Sequence, residues 1–259
     1  MLIKSFLVEI KKTKNSFTLW FTLIGSALIP LVYFFVYLFR FHNFIPELNT
    51  NPWDDLIKTN FKAIGFLLFP LFIIITIGLN IQIEHTSNSW KKLFVLPMRK
   101  EFLFFSKLLF LLTQILFSLI LFGTCVIFSG LILGIIHKEL GFLMYSPDFY
   151  HIAKLTFQLY VSVFGIISIQ YLLGLFFENL VIPISIGTFL SILGLIIAQG
   201  WDKSIYYPYA FPMIFTLNID NLVNINHWMG ISTSEIVSIS IFVVVITLSF
   251  FLFKKKAIK

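Results

Sequence analysis

Charge is scarce in this sequence. Only 12% of its 259 residues are Asp, Glu, Lys or Arg, against roughly 25% in a soluble domain. Apolar residues make up 58%. That excludes a water-soluble globule, and it equally excludes a disordered chain. Cysteine is nearly missing. Cys125 stands alone, which rules out an internal disulfide and a Cys-rich metal site; its apolar surroundings read as a buried thiol. Catalytic signatures are missing too. There is no G-x-x-x-x-G-K-S/T phosphate loop, no H-E-x-x-H and no G-x-S-x-G. His42, His85, His137, His151 and His227 are scattered and read as interfacial polar residues.

What is present is phenylalanine, 33 of them, set in long apolar runs. A helix needs about 20 apolar residues to cross about 30 Å of hydrocarbon. Six runs meet that need: Phe17–Phe39, Phe61–Ile83, Leu108–Leu133, Leu155–Phe177, Leu180–Gln199 and Ser232–Phe253. The runs are continuous rather than alternating, and lipid admits only helices or closed barrels. The expected fold is therefore an all-α integral membrane protein with six transmembrane helices. The first run exceeds the roughly 7–15 apolar residues of a secretory leader and lacks an A-x-A site, so it reads as an uncleaved span.

Six spans place both termini on one side. With that side inside, Lys4, Lys11, Lys12, Lys14, Lys91, Lys92, Arg99, Lys100, Lys107 and Lys254 to Lys256 are all cytoplasmic, as the positive-inside bias requires. Most acidic residues fall outside. The net charge of +7 then faces anionic headgroups, and nucleic acid is not needed to explain it.

Residues 1–16 carry Leu2, Ile3, Phe6, Leu7 and Ile10 on one helical face, flanked by lysines. This predicts an amphipathic helix lying in the interface, ahead of a six-span domain over residues 17–259. Pro30, Pro70 and Pro183 interrupt spans one, two and five and are expected to kink them. The span cores hold essentially no ionisable residue, which disfavours ion-coupled transport. Asn80, Gln114, Gln158, Gln170 and Gln199 are their polar exceptions, with Gln114 and Gln170 expected to bond between helices.

The loop between spans two and three is the most informative stretch. Trp90, Leu93, Phe94 and Pro97 share one helical face, and Pro97 stops the helix. Arg99, Lys100 and Lys107 then mark re-entry into the bilayer. Glu84 closes span two, and a Glu84–Arg99 pair is expected to brace the hinge. This order of residues resembles the permeases of the ABC-2 type exporter superfamily. Those chains carry an acidic residue ending span two, a short coupling helix, a Pro, a basic residue and a Lys entering span three. Here Glu84, Pro97, Arg99 and Lys107 match that order. The W-K-K-L-x-x-L-P-x-R stretch is also similar to bacterial permeases for lantibiotic immunity and antimicrobial-peptide resistance.

The resemblance implies a permease subunit of an ATP-driven exporter in the bacterial cytoplasmic membrane. It implies no cofactor on this chain, with ATP and Mg held by two cytoplasmic ABC ATPase subunits. A second permease, identical or paralogous, would complete the unit. Glu84, Trp90, Leu93, Phe94, Pro97, Arg99 and Lys107 would couple the spans to the ATPase, and none would be catalytic. The turn Glu178–Asn179 is a candidate second ATPase contact. Trp201, Tyr206, Tyr207, Tyr209, Phe211, Phe215 and Trp228 form an aromatic outer segment, read either as a headgroup belt or, through Trp201, Tyr206, Tyr207, Phe211 and Trp228, as an outer gate for an amphipathic cargo. Gly123, Gly130 and Gly134 share a face of span three and allow close helix approach, within the subunit or at a dimer seam. A rival reading keeps the chain as a non-transporting scaffold of a secretion or motility assembly.

Overall fold

The computed structural model describes residues 2–14, 16–45, 50–86, 100–222 and 232–255. Among them the regular structure is helical throughout. In chain order the helices are α1 (Leu2–Thr13), α2 (Phe17–Phe39), α3 (Pro52–Ala63), α4 (Phe69–Thr86), α5 (Lys100–Ile136), α6 (Phe149–Ser162), α7 (Phe164–Phe176), α8 (Val181–Gly200), α9 (Phe211–Leu222) and α10 (Thr233–Lys255). Five helical stretches are long and apolar enough to cross a membrane, and the bent pair α6–α7 makes a sixth.

Helix α5 is the central pillar. Its 37 residues rise about 56 Å, well beyond the hydrocarbon thickness, and it packs against α1, α2, α3, α6 and α10. On its far side α7 packs between α4 and α10, and α4 also meets α8. The core is aromatic: Trp53, Tyr171, Phe61, Phe104 and Phe122 are among the largest fully buried side chains.

Two local departures from regular helix have clear causes. The second span is longer than the apolar run predicts, because α3 continues into α4 as one stretch, Pro52–His85. The joint is a π-helical turn, Ile64–Leu68, in which the Phe69 N–H donates to the Ile64 carbonyl five residues back. Pro70 follows directly. Proline lacks a donor and its ring crowds the preceding turn, and the wider π turn absorbs both defects. The fourth span breaks by 41° at Val163. Ser238 of α10 repairs the break: its hydroxyl donates to the Val161 and Ser162 carbonyls, and it accepts from the Gly165 N–H. Backbone groups freed inside a membrane helix need such partners. Pro183, expected to kink span five, instead lies in the first turn of α8, where its missing N–H costs no helical hydrogen bond.

Helix α1 is amphipathic, and it turns its polar stripe inward. Ser5, Glu9 and Thr13, spaced one turn apart, are buried, while Ile3, Leu7 and Ile10 are exposed. The apolar face is thereby left for lipid, and the polar face has to find partners inside the protein.

Candidate functional site: a buried ring of charge at the basic end

The partners of α1 lie on α4 and α5. Lys107 Nζ stands 2.7 Å from Glu84 Oε1 and 3.1 Å from Glu9 Oε2. Lys12 Nζ stands 2.7 Å from Glu9 Oε1 and 3.2 Å from Glu84 Oε1. Two carboxylates and two ammonium groups thus alternate in a closed, neutral ring joining three helices. Glu84 and Lys107 side chains are only 3% and 4% exposed. A lone buried charge is strongly disfavoured, and each of these has two opposite neighbours. Burial opposes ionisation of Glu9, but the Lys107 and Lys12 ammonium groups outweigh it, and the carboxyl is held below its ordinary range. Burial likewise opposes charge on Lys12, and Glu84 and Glu9 outweigh it and raise its pKa.

The ring continues inward as a chain of amides. Lys107 also donates to the Asn80 carbonyl. Asn80 Nδ2 donates to Gln114 Oε1 at 2.9 Å, and Gln114 Nε2 donates to Thr22 Oγ1 at 2.7 Å. The expected interhelical role of Gln114 is therefore what the structure shows, linking α2, α4 and α5. Gln170 does the same elsewhere, donating to the Tyr209 hydroxyl.

The expected Glu84–Arg99 brace falls partly outside the described residues. Glu84 is engaged by Lys107 and Lys12, and Arg99 lies outside the described residues, as do Trp90, Leu93, Phe94 and Pro97. Lys107, expected to mark re-entry into the bilayer and to belong to the coupling set, is a buried member of the ring. Glu9 and Lys12 were not singled out by the sequence reading. Their signal was available as the lone acid of the N-terminal stretch with a Lys at i+3, on a polar stripe with Ser5 and Thr13.

Other contacts gather at the same end of the bundle. His85 Nε2 lies 3.0 Å from the Gly174 carbonyl of α7, and Lys254 of α10 pairs with Glu101 at 3.3 Å. Glu178 and Asn179 form an exposed turn just beyond α7, where Asn179 Oδ1 accepts from the Val181 N–H. That turn and the ring therefore share one end of the molecule.

At the opposite end the chain folds back into the bundle. Tyr207 donates to the Leu190 carbonyl, about 15 Å of helical rise below Gly200. Tyr209, which receives the Gln170 bond, packs its carbonyl against Gly194, and Pro208 packs against Gly165. The five residues read as an outer gate do not share one surface. Trp201 and Tyr206 are exposed, Tyr207 is half-buried, Phe211 is in the core, and Trp228 lies outside the described residues. Tyr209, not among those five, is the most firmly tied residue of the segment. The three glycines of α5 all meet parts of their own chain: Gly123 faces Ile152, Gly130 faces Trp53 and Leu56, and Gly134 faces Phe142 and Leu143.

A chain of this kind, with membrane-length helices around an aromatic core and an ionic ring at its basic end, is a multi-pass membrane protein. Residues 5–194 match the family described as ABC-2 family transporter protein, and the chain belongs to that family. The match includes all four ring residues and stops short of the infolded outer segment. No curated protein and no solved structure matches the chain.

Proposed function

We propose that this membrane transport subunit is the permease of an ATP-driven exporter whose ATPase subunits are separate chains docking at the basic, cytoplasmic end. One observation carries the reading. The segment with Trp90, Leu93, Phe94, Pro97 and Arg99 lies between Glu84 and Lys107, and those two residues are ion-paired 2.7 Å apart. A push on that segment therefore acts on α4 and α5 together, and on α1 through Glu9 and Lys12. ATP and Mg sit on the partner ATPases, in two copies, and a second permease, identical or paralogous, completes the unit. Energy enters when ATP favours the closed ATPase pair, which biases the permease between two states. The exposed turn Glu178–Asn179 supplies a second contact on the same face.

The cargo is amphipathic, an antimicrobial peptide or a lipid-like molecule, and the host membrane is a bacterial cytoplasmic membrane. Supporting this, a cavity of about 240 Å³ between α2 and α4 is almost wholly apolar, lined by Phe21, Gly25, Ile29, Phe69 and Phe72 among others. The outer segment also presents Trp201 and Tyr206 at its surface. The test is a mild-detergent pull-down of the tagged chain with mass spectrometry and an ATPase assay. A stoichiometric ATPase that is lost with Leu93→Asp or Phe94→Asp supports the reading. Recovery without any nucleotide-binding partner overturns it in favour of a scaffold subunit.

A further inference from the structure

A second cavity, of about 410 Å³, opens between α1, α2 and α5. That is within the usual range for small-molecule sites, about 300–1,000 Å³. Its walls are Phe6, Ile10, Leu19, Leu23, Phe110 and Phe117, with Lys14 also in the lining. Four polar side chains line it as well, and every one is already engaged. Thr13 donates to the Glu9 and Ile10 carbonyls, Thr113 to the Phe110 carbonyl and Thr22 to the Thr18 carbonyl. Gln114 spans Asn80 and Thr22. The hydroxyl protons of the three threonines are thus spent within the protein, and the rest of the wall is apolar.

Lys14 is different. It is exposed and makes no ion pair among the described residues. Helix α2 starts at Phe17, and its cap residue Ser16 donates its hydroxyl to the Thr13 carbonyl instead of capping the helix. The first-turn N–H groups of α2 thus receive no cap from the Ser16 hydroxyl, and the helix start adds partial positive charge beside Lys14. The groove therefore offers a cationic group and, around it, a mainly apolar wall. Ile3 and Leu7 of α1 and Trp20 of α2 are also exposed.

The geometry points to a bound anionic phospholipid, with its phosphate at Lys14 and an acyl chain against Ile10, Leu23, Phe110 and Phe117. The lipid comes from the leaflet in which α1 lies. It fills the space that α1 leaves by packing its polar stripe against α4 and α5, and so holds α1 beside α2.

Native mass spectrometry of the full chain, delipidated in mild detergent and titrated with phosphatidylglycerol or phosphatidylcholine, tests this. The wild type is expected to retain one phosphatidylglycerol more tightly than phosphatidylcholine. Lys14→Gln is expected to weaken phosphatidylglycerol retention about fivefold, the effect of one basic residue at an anionic surface, and to abolish the preference. Thr113→Phe, which fills the groove, removes the tight adduct of either lipid. Lys4→Gln, a change of equal charge elsewhere on α1, leaves retention unchanged. Equal retention of the two lipids by the wild type overturns the proposal. So does a tight adduct that survives Thr113→Phe, a loss with Lys4→Gln as large as with Lys14→Gln, or a retained mass belonging to a non-lipid molecule.

Discussion

Lys107 and Glu84 are 2.7 Å apart with side chains 4% and 3% exposed, and neither faces the other alone. Because Glu9 and Lys12 close the ring, the pair behaves as half of a four-charge unit. Glu84→Gln leaves two ammonium groups against one carboxylate in a buried site. Breaking a buried pair in this way costs about 3–5 kcal/mol, read as a lowered unfolding temperature in detergent. Removing both charges with Glu84→Leu and Lys107→Met leaves the neutral Glu9–Lys12 pair and is expected to cost less than either single change. Exchanging them, Glu84→Lys with Lys107→Glu, would restore an isolated pair. Here it sets like charges against Lys12 and Glu9, so no rescue is expected. A full rescue by the swap would show that the four charges are not coupled.

Protonation of Glu9 should release α1. Its carboxyl is held below the ordinary range, so its contribution to docking is fully present above the undocked pKa. That contribution is lost as pH falls through the docked value. Lys12 has a raised pKa; its contribution is present below the ordinary lysine range and is lost only as pH rises through the docked value. The Glu9 and Lys12 contributions are therefore both present in the neutral range, and the Glu9 contribution is the one lost toward acid. A spin label at exposed Val8, in a Cys125→Ser background, is expected to stay immobile at neutral pH and to become mobile in acid. With Glu9→Gln the label is mobile already at neutral pH. A label with the same mobility at all pH values, in both proteins, contradicts the linkage.

The infolded outer segment depends on the bond from Gln170 Nε2 to the Tyr209 hydroxyl, 2.9 Å long and buried. Tyr209→Phe keeps the ring and removes the acceptor, stranding a buried amide donor at a cost of about 1–3 kcal/mol. Replacing both partners, with Gln170→Leu and Tyr209→Phe, leaves no stranded donor and is expected to recover most of that loss. Tyr206, 63% exposed, serves as the control, and Tyr206→Phe should leave the unfolding temperature unchanged. Thermal unfolding of the three variants checks the ordering.

Much of this architecture is written in hydropathy. The long helices follow the apolar runs because continuous apolar sequence of that length has one stable state in lipid. Periodicity also found the face of α1 that carries Ile3 and Leu7. What it did not reveal is which face meets protein. In water the apolar face goes inward, but in a bilayer lipid covers it equally well, so the polar stripe with Glu9 became the buried one. The same ambiguity hid the partners of Lys107, since nothing in hydropathy turns Glu9 and Lys12 of α1 inward toward it and Glu84. The π turn before Pro70 and the break at Val163 were not foreseen either. Pro70 signals a disturbance but not its form, and the break at Val163 is repaired by Ser238, distant in sequence.

Close approach along α5 is the most position-specific of these features. At Gly130 an added Cβ would lie 2.5 to 2.9 Å from Trp53 ring carbons and Leu56. The Trp53 ring is not free to yield. It is fully buried, and its Nε1 donates to both the Phe142 and Tyr145 carbonyls at 3.0 Å. Gly130→Ala therefore overpacks a pinned site, at an expected cost of about 1–3 kcal/mol. At Gly123 the nearest atom would be Ile152 Cγ2 at 3.3 Å, a branch methyl that need give only a few tenths of an ångström. There the better helix propensity of alanine, about 1 kcal/mol over glycine, offsets the contact, and Gly123→Ala should be near neutral. Thermal unfolding of the two variants in detergent separates them. If both instead left stability intact and weakened association between permease chains, the glycine face would belong to a seam between subunits.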